Sequence, residues 1–286
     1  MASLRLKEAS RAQFQRAQRL HRREQRSRHR QMLVEGPQAV RELLACAPHL
    51  ARDLYVTEAA LRTHGDIATL AGQTQVWTHP LDERDMDDLS GDSQGLVAVA
   101  DMPEALDARQ LCSGARLVIA TLDISDPGNL GTIVRTADAC GADAVLLGKG
   151  SAELYSPKVI RSAAGSHFHV PCGYGLTIDE IVGAARGSGM QVLAADGAGQ
   201  WDLPVLASAA SEAALLGTRP AGPDLTRPVL WLFGNEARGF SEYDVTRLAE
   251  VVSIPLYGKA ESLNVAAAVS VCAYVTAMAQ AAGSGA

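Results

Sequence analysis

Three stretches in the second half of this sequence place polar side chains and glycines where an apolar, strand-like run gives way to a helix. In the first, Asp126-Pro127-Gly128-Asn129-Leu130-Gly131 is followed by Arg135, six residues after Asn129. An Asn and an Arg beside the free amides of a helix mouth make a phosphate or ribose site. Taken alone, the same residues read rather as an N-capping Asn and a surface Arg. In the second, LWLF runs into Gly234-Asn235-Glu236 and then Arg238-Gly239. Glycines after a strand permit close backbone approach, and Glu236 adds an acceptor. Neither P-loop spacing nor the dinucleotide glycine pattern is present, which disfavours a kinase or a Rossmann dehydrogenase. In the third, Gly258 precedes Glu261-Ser262-Leu263-Asn264, which opens an Ala/Val-rich helix with Ser262 or Asn264 available as its cap.

The elements that must position these residues alternate in type. From Arg116 onward, RLVIATLD and ADAVLLG read as buried strands and NLGTIVRTADACG as a helix closed by Gly141. SPKVIRSAAGS, IDEIVGAARGSG, QVLAAD, PVLWLFG, SEYDVTRLAEV, VSIPLYG and ESLNVAAAVSVCAYVTAMAQ continue the series, with the run into IPLYG a strand that turns at Gly258. Strands alternating with helices predict a mostly parallel sheet covered on both faces, and ligands collect beyond the carboxyl ends of such strands. Residues 31–101 form a smaller α/β alternation that begins strand, turn, helix in MLVEGPQAVRELL, with Pro37 in the first helical turn. Residues 102–115 read as a polar linker, and residues 1–30 as a basic arm with too few apolar positions to build a core, helical on binding and frayed when free.

Charge is divided unevenly. The chain carries a net −6, but residues 1–30 hold ten Lys/Arg against Glu8 and Glu24, a net of +8, which leaves −14 for the remainder. A basic arm on an acidic body suits the neutralisation of phosphates, or is a solvated tail without a partner. Cys46, Cys112, Cys140, Cys172 and Cys272 are odd in number and form no CxxC pair, so neither a disulfide framework nor a metal site is expected. Cys140 and Cys272, among apolar neighbours, read as small buried hydrophobes rather than nucleophiles. No unbroken apolar run approaches the ~20 residues of a membrane span, and the Arg-rich start lacks the apolar centre of a secretory signal. A reducing cytoplasm is the expected location.

The three motifs, in this order, resemble those of the SpoU family of RNA 2′-O-ribose methyltransferases in the SPOUT superfamily. The first is similar to Asn129, Gly131 and Arg135, the second to Gly234, Glu236 and Gly239, and the third to Ile254-Pro255, Gly258 and Glu261 through Val265. Between them, SPKVIRSAAGSHFHVP resembles a further family segment. Ala266 departs from the Ser that many relatives carry, a change small in volume from which no loss is expected. Residues 31–101 resemble the L30e-like RNA-binding domain that often precedes this catalytic domain, through VEGPQAVREL and Gln94-Gly95.

The resemblance implies an α/β fold: a C-terminal, trefoil-knotted, mostly parallel sheet flanked by helices over 116–286, preceded by a small L30e-like α/β domain. It implies S-adenosylmethionine as cofactor, bound in the knot near Leu232, Gly234, Asn235, Ile254, Leu256 and Leu263. No metal is implied. Asn129, Ser262 and Asn264 would orient the ribose and Arg135. Arg135 would activate the 2′-hydroxyl, and because a guanidinium holds its proton, stabilising the oxyanion or gripping phosphate asks less of it than acting as base. Glu236 would organise the cofactor pocket. The family works as homodimers, so Arg135 can serve the partner's cofactor and the final helix can form the interface. The L30e-like domain favours 23S ribosomal RNA over transfer RNA. A non-catalytic RNA-binding assembly factor on this fold would show decay at Asn129, Arg135, Glu236 or Asn264, and all four are present. A small-molecule methyltransferase would leave the arm and the small domain without a role.

Overall fold

The computed structural model describes residues 3–216, 218, 220–235 and 238–283. In chain order its strands are β1 (Arg5–Leu6), β2 (Gln31–Glu35), β3 (Ala51–Thr57), β4 (Trp77–Leu81), β5 (Leu96–Asp101), β6 (Leu117–Thr121), β7 (Ala144–Gly148), β8 (Cys172–Leu176), β9 (Gln191–Ala195), β10 (Trp201–Asp202), β11 (Val229–Phe233) and β12 (Glu250–Ser253). Its helices are α1 (Arg11–Arg19), α2 (Arg23–His29), α3 (Pro37–Cys46), α4 (Glu58–Thr63), α5 (Gly65–Thr74), α6 (Glu83–Leu89), α7 (Ala108–Cys112), α8 (Pro127–Ala139), α9 (Pro157–Ala163), α10 (Ile178–Gly187), α11 (Leu203–Leu216), α12 (Val245–Leu248) and α13 (Val265–Gly283). The chain divides into two compact units, Met1–Glu104 with Glu153–His169, and Ala105–Ala152 with Val170–Ala286.

The first unit is a mixed sheet in the order β1-β4-β3-β5-β2. β5 runs antiparallel to both β2 and β3, whereas β4 is parallel to β3 and β1. The basic arm is folded here, contrary to the frayed segment expected from its composition. Ala17 and Leu20 are buried among Leu33, Tyr55, Met86, Leu89, Val97 and Val99, with Phe14 packed alongside. Two or three apolar side chains suffice because the sheet supplies the rest of the core. β1 covers the edge of β4, where an open strand would invite pairing with another chain, and Arg5 lies over the Trp77 ring at 3.6 Å. Arg26 is 4% exposed. It donates to the Leu20 and His21 carbonyls and to both carboxylate oxygens of Glu153, which is how a buried charge is tolerated.

That contact helps explain a second difference from the sequence pattern. Glu153–His169 lies within the stretch read as the C-terminal domain but groups with the first unit. α9 packs on β2, and Arg161 ion-pairs with the buried Glu35 and with Asp92 at 2.8 Å.

The second unit is a seven-stranded sheet in the order β10-β12-β9-β11-β6-β7-β8, parallel at every pairing. Its central strands β6, β7 and β11 are buried at every position, which explains their unbroken apolar sequences. α13 packs on α8, α11, β6 and β11. Trp231 Nε1 donates to Thr276 Oγ1 at 2.8 Å with both residues fully buried, fixing that helix to the sheet. α13 is also long and apolar enough to cross a membrane by length and composition, which inspection of unbroken apolar runs did not show. Its packing is that of a helix covering a sheet. One strand is shorter than expected. β12 stops at Ser253 where the run into IPLYG read as strand, because Pro255 has no N–H for the ladder. Within SEYDVTRLAEV only the four residues of α12 are helical. α11, fourteen residues long, was not read at all.

Candidate active site

β12 lies on the far side of β9 from β11, yet α13 packs on β11 and β6. The connection 254–264 therefore runs back past the carboxyl ends of the sheet. Where it does so it closes a cavity of about 340 Å³, within the range of small-molecule sites. The walls come from three strand ends and the return segment: Asp196 and Gly197 after β9, Gly234 and Asn235 after β11, Ile254 and Leu256 after β12, then Glu261, Ser262 and Leu263. Val265 and Ala268, from the first turn of α13, complete it. At Gly234 a Cβ would lie 2.5 Å from the Gly239 backbone, so only glycine lets the chain fold back this tightly. Asn235 and Gly239 then exchange backbone hydrogen bonds at 3.0 and 2.9 Å.

Of the six residues expected around a cofactor, Gly234, Asn235, Ile254, Leu256 and Leu263 line this cavity. Leu232 does not. It sits inside β11 with partners Ala120 and Ala194 on either side, and its side chain is wholly buried in the core with Val118, Ala120 and Leu230. Of the five expected to act in chemistry, Ser262 lines the cavity. Asn264, between the wall residues Leu263 and Val265, meets Asn129: its Nδ2 donates to Asn129 Oδ1 at 3.0 Å, joining residues 135 positions apart. The capping alternative for the first motif's Asn does not hold, because α8 is capped by Asp126, whose Oδ1 accepts from Asn129 N at 2.7 Å. Asn264 caps α13 with its other amide atom, Oδ1 accepting from Ala266 N at 2.9 Å. Arg135 is exposed on α8, with no ion-pair partner among the described residues. Glu236 lies outside the described residues.

Sequence reading missed Asp196 and Glu261 as wall residues. The available signal for Asp196 was its position directly after a buried strand, the same signal that singled out Gly234. Together the walls offer apolar surface from Ile254, Leu256 and Leu263, backbone groups freed by Gly197 and Gly234, and two carboxylates. This donor set fits S-adenosylmethionine: apolar surface for a flat adenine, and acceptors for ribose hydroxyls and for the ammonium.

The cysteines do not compete for a chemical role. Burial pushes the Cys112 thiol up to about 11 and that of Cys172 up to about 12, and it raises Cys140 and Cys272 as well. In the first unit, Cys46 comes together with Glu42 and His169, whose ligand-type atoms all lie within 4.8 Å of one another, a grouping invisible in sequence spacing.

A parallel α/β sheet with a cofactor-sized cavity under a returning chain, and polar side chains from two distant motifs joined beside it, defines an α/β enzyme whose cofactor site lies at the carboxyl ends of its strands. Solved structures share the fold: that of the SpoU methyltransferase AviRb from Streptomyces viridochromogenes aligns at a TM-score of 0.75 and 28% identity, covering 95% of this chain and 98% of that one. AviRb in complex with the cofactor AdoMet aligns at 0.73, with 95% and 100% covered. The model of the SpoU rRNA Methylase family matches residues 116–274, more than half of the chain, and the chain belongs to that family. It is an S-adenosylmethionine-dependent RNA methyltransferase. Among curated relatives, the 23S rRNA (guanosine(2553)-2'-O)-methyltransferase RlmP of Bacillus subtilis is 31% identical over 89% of this chain and 92% of its own length. The 23S rRNA (guanosine-2'-O-)-methyltransferase RlmB of Pseudomonas syringae pv. tomato is 26% identical over 84% and 93%.

Proposed function

We propose that this enzyme methylates a ribose 2′-hydroxyl of 23S ribosomal RNA in the cytoplasm, as a homodimer, with its cofactor in the cavity beyond β9, β11 and β12. The observation that carries the reading is the Asn264–Asn129 hydrogen bond beside the cavity, because it unites the two motifs that would have to act on one ribose. The names of the relatives that align along most of the chain support the choice of RNA.

When bound, the cofactor supplies an electrophilic methyl group on a sulfonium. The chain's own part is positioning and proton handling. The cavity walls exclude water and hold the cofactor by backbone groups and apolar contact. Asn129, fixed by Asn264, and Ser262 orient the ribose. Arg135 stabilises the oxyanion that forms as the 2′-hydroxyl gives up its proton to solvent water, or grips the adjacent phosphate. Glu236 organises the pocket. Arg135 is exposed rather than aimed into its own cavity, which suits service to a partner subunit. On α13, Ala267, Val271, Tyr274 and Met278 are exposed at successive turns of one face, an apolar stripe suited to a two-fold contact.

The test has two parts. Replacing Ala268→Trp fills the cavity and should abolish S-adenosylmethionine binding by calorimetry. Labelled cofactor should then carry its methyl into unmodified 23S rRNA. Label in bulk transfer RNA alone would move the substrate to that class, and label in neither would contradict the reading.

A further inference from the structure

Asp123 follows β6 at φ +52°, a left-handed conformation that non-glycine residues seldom occupy. Asp tolerates it better than most, but glycine would be unstrained there. Two elements converge on this residue. Its carbonyl accepts from Asn235 Nδ2 at 2.7 Å. Its carboxylate ion-pairs with Arg238 and lies 3.4 Å from the same Asn235 amide. From the loop after β7 comes Gly150, itself at φ +87°, where any Cβ would run into the Asp123 carboxylate. Two other strand ends thus make room for, or bond to, one strained acid. What it holds is part of the cavity wall: Asn235 and Gly239 line the cavity, and Arg238 N donates to Asn235 Oδ1 at 3.0 Å, so the Asn235–Gly239 turn and its clip to Asp123 are one network. Asp123 itself does not line the cavity.

We infer that Asp123 is a positioning residue for the cofactor: it clamps the turn closed by Asn235 and Gly239 in the shape that receives S-adenosylmethionine. Backbone strain kept at such a place is explained by what it positions. The inference rests on the cavity being the cofactor site.

The experiment measures S-adenosylmethionine dissociation constants and methyl-transfer kinetics for the wild type, Asp123→Gly, Asp123→Asn, Arg238→Gln and the cavity-filling Ala268→Trp. Glycine removes the carboxylate and relieves the strain, so a merely structural Asp123 predicts unchanged or raised thermal stability with unchanged cofactor affinity. The clamp predicts retained stability with cofactor binding weakened about fivefold or more, KM for the cofactor rising in step and kcat at saturation changing less than about twofold. Asn keeps the left-handed tolerance and an acceptor for Arg238, and should recover part of the affinity. Arg238→Gln changes an exposed side chain without burden on folding and should reproduce the weakening, non-additively with Asp123→Asn. Wild-type affinity in Asp123→Gly or Arg238→Gln, with binding lost in Ala268→Trp, would overturn the clamp alone. Unimpaired binding in Ala268→Trp would overturn the cavity reading and the clamp with it.

Discussion

Asn264 carries two tasks on one amide: its oxygen caps α13 and its nitrogen holds Asn129. The tasks separate chemically. Asn264→Asp keeps a capping oxygen, favourably charged at a helix N-terminus, but loses the donor to Asn129. Stability of this variant should stay within about 0.5 kcal/mol of wild type while methyl transfer falls at least tenfold. Asn264→Ala should lose about 1 kcal/mol of stability as well. Thermal melts beside single-turnover rates measure both, and an active Asn264→Asp enzyme would remove the Asn pair from the chemistry. At this scale the sequence was informative where motif residues end strands or open helices, as at Gly234 and Asn264. It was uninformative about Asp123 and Asp196, whose importance lies in backbone conformation and in neighbours brought by other strands.

At the scale of elements, α13 is held to the sheet by polar contacts inside an apolar interface. Thr276→Val preserves shape but strands the buried Trp231 N–H, and should cost about 1–3 kcal/mol in chemical denaturation. A cost near zero would mean the indole finds another partner. His167, in the turn after α9, gives the first unit a pH dependence. Its Nε2 donates to the Leu154 carbonyl at 2.9 Å and its Nδ1 is buried without a partner, so the ring is neutral and burial lowers its pKa to about 4. In the unfolded chain it takes up a proton near pH ~6.5. Stability is therefore full above that pH and falls as the pH drops toward 4, by about 3 kcal/mol in all. His167→Gln should flatten this part of the pH profile. The long buried strands were legible because both of their faces are covered. β12 was misplaced because its apolar run continues past Pro255, where the ladder cannot.

Across the whole molecule, charge is segregated into a basic N-terminal segment and an acidic remainder, and the segment is folded. Composition alone suggested disorder because a core borrowed from another element leaves almost no trace in the segment that borrows it; Leu20, fully buried, is that trace. The grouping of Glu153–His169 with the first unit was equally hidden, since Arg161 and Glu35 meet across 126 positions. Arg11, Arg16 and Arg19 are exposed on α1, opposite the buried Ala17. If they meet phosphates, replacing all three with Gln should weaken RNA binding and reduce the slope of log affinity against log salt by about 2 to 3. An unchanged slope would leave the helix without a role in RNA binding.

The central claim is methyl transfer to a ribose oxygen by residues around this cavity. The most direct test follows label from S-adenosylmethionine into 23S rRNA and then hydrolyses the RNA in alkali, which cannot cleave beside a 2′-O-methyl group. The account predicts label confined to one alkali-resistant dinucleotide, and falling about a hundredfold with Arg135→Ala. Label released as a mononucleotide, marking a methylated base, or undiminished in the Arg135 variant, would contradict it.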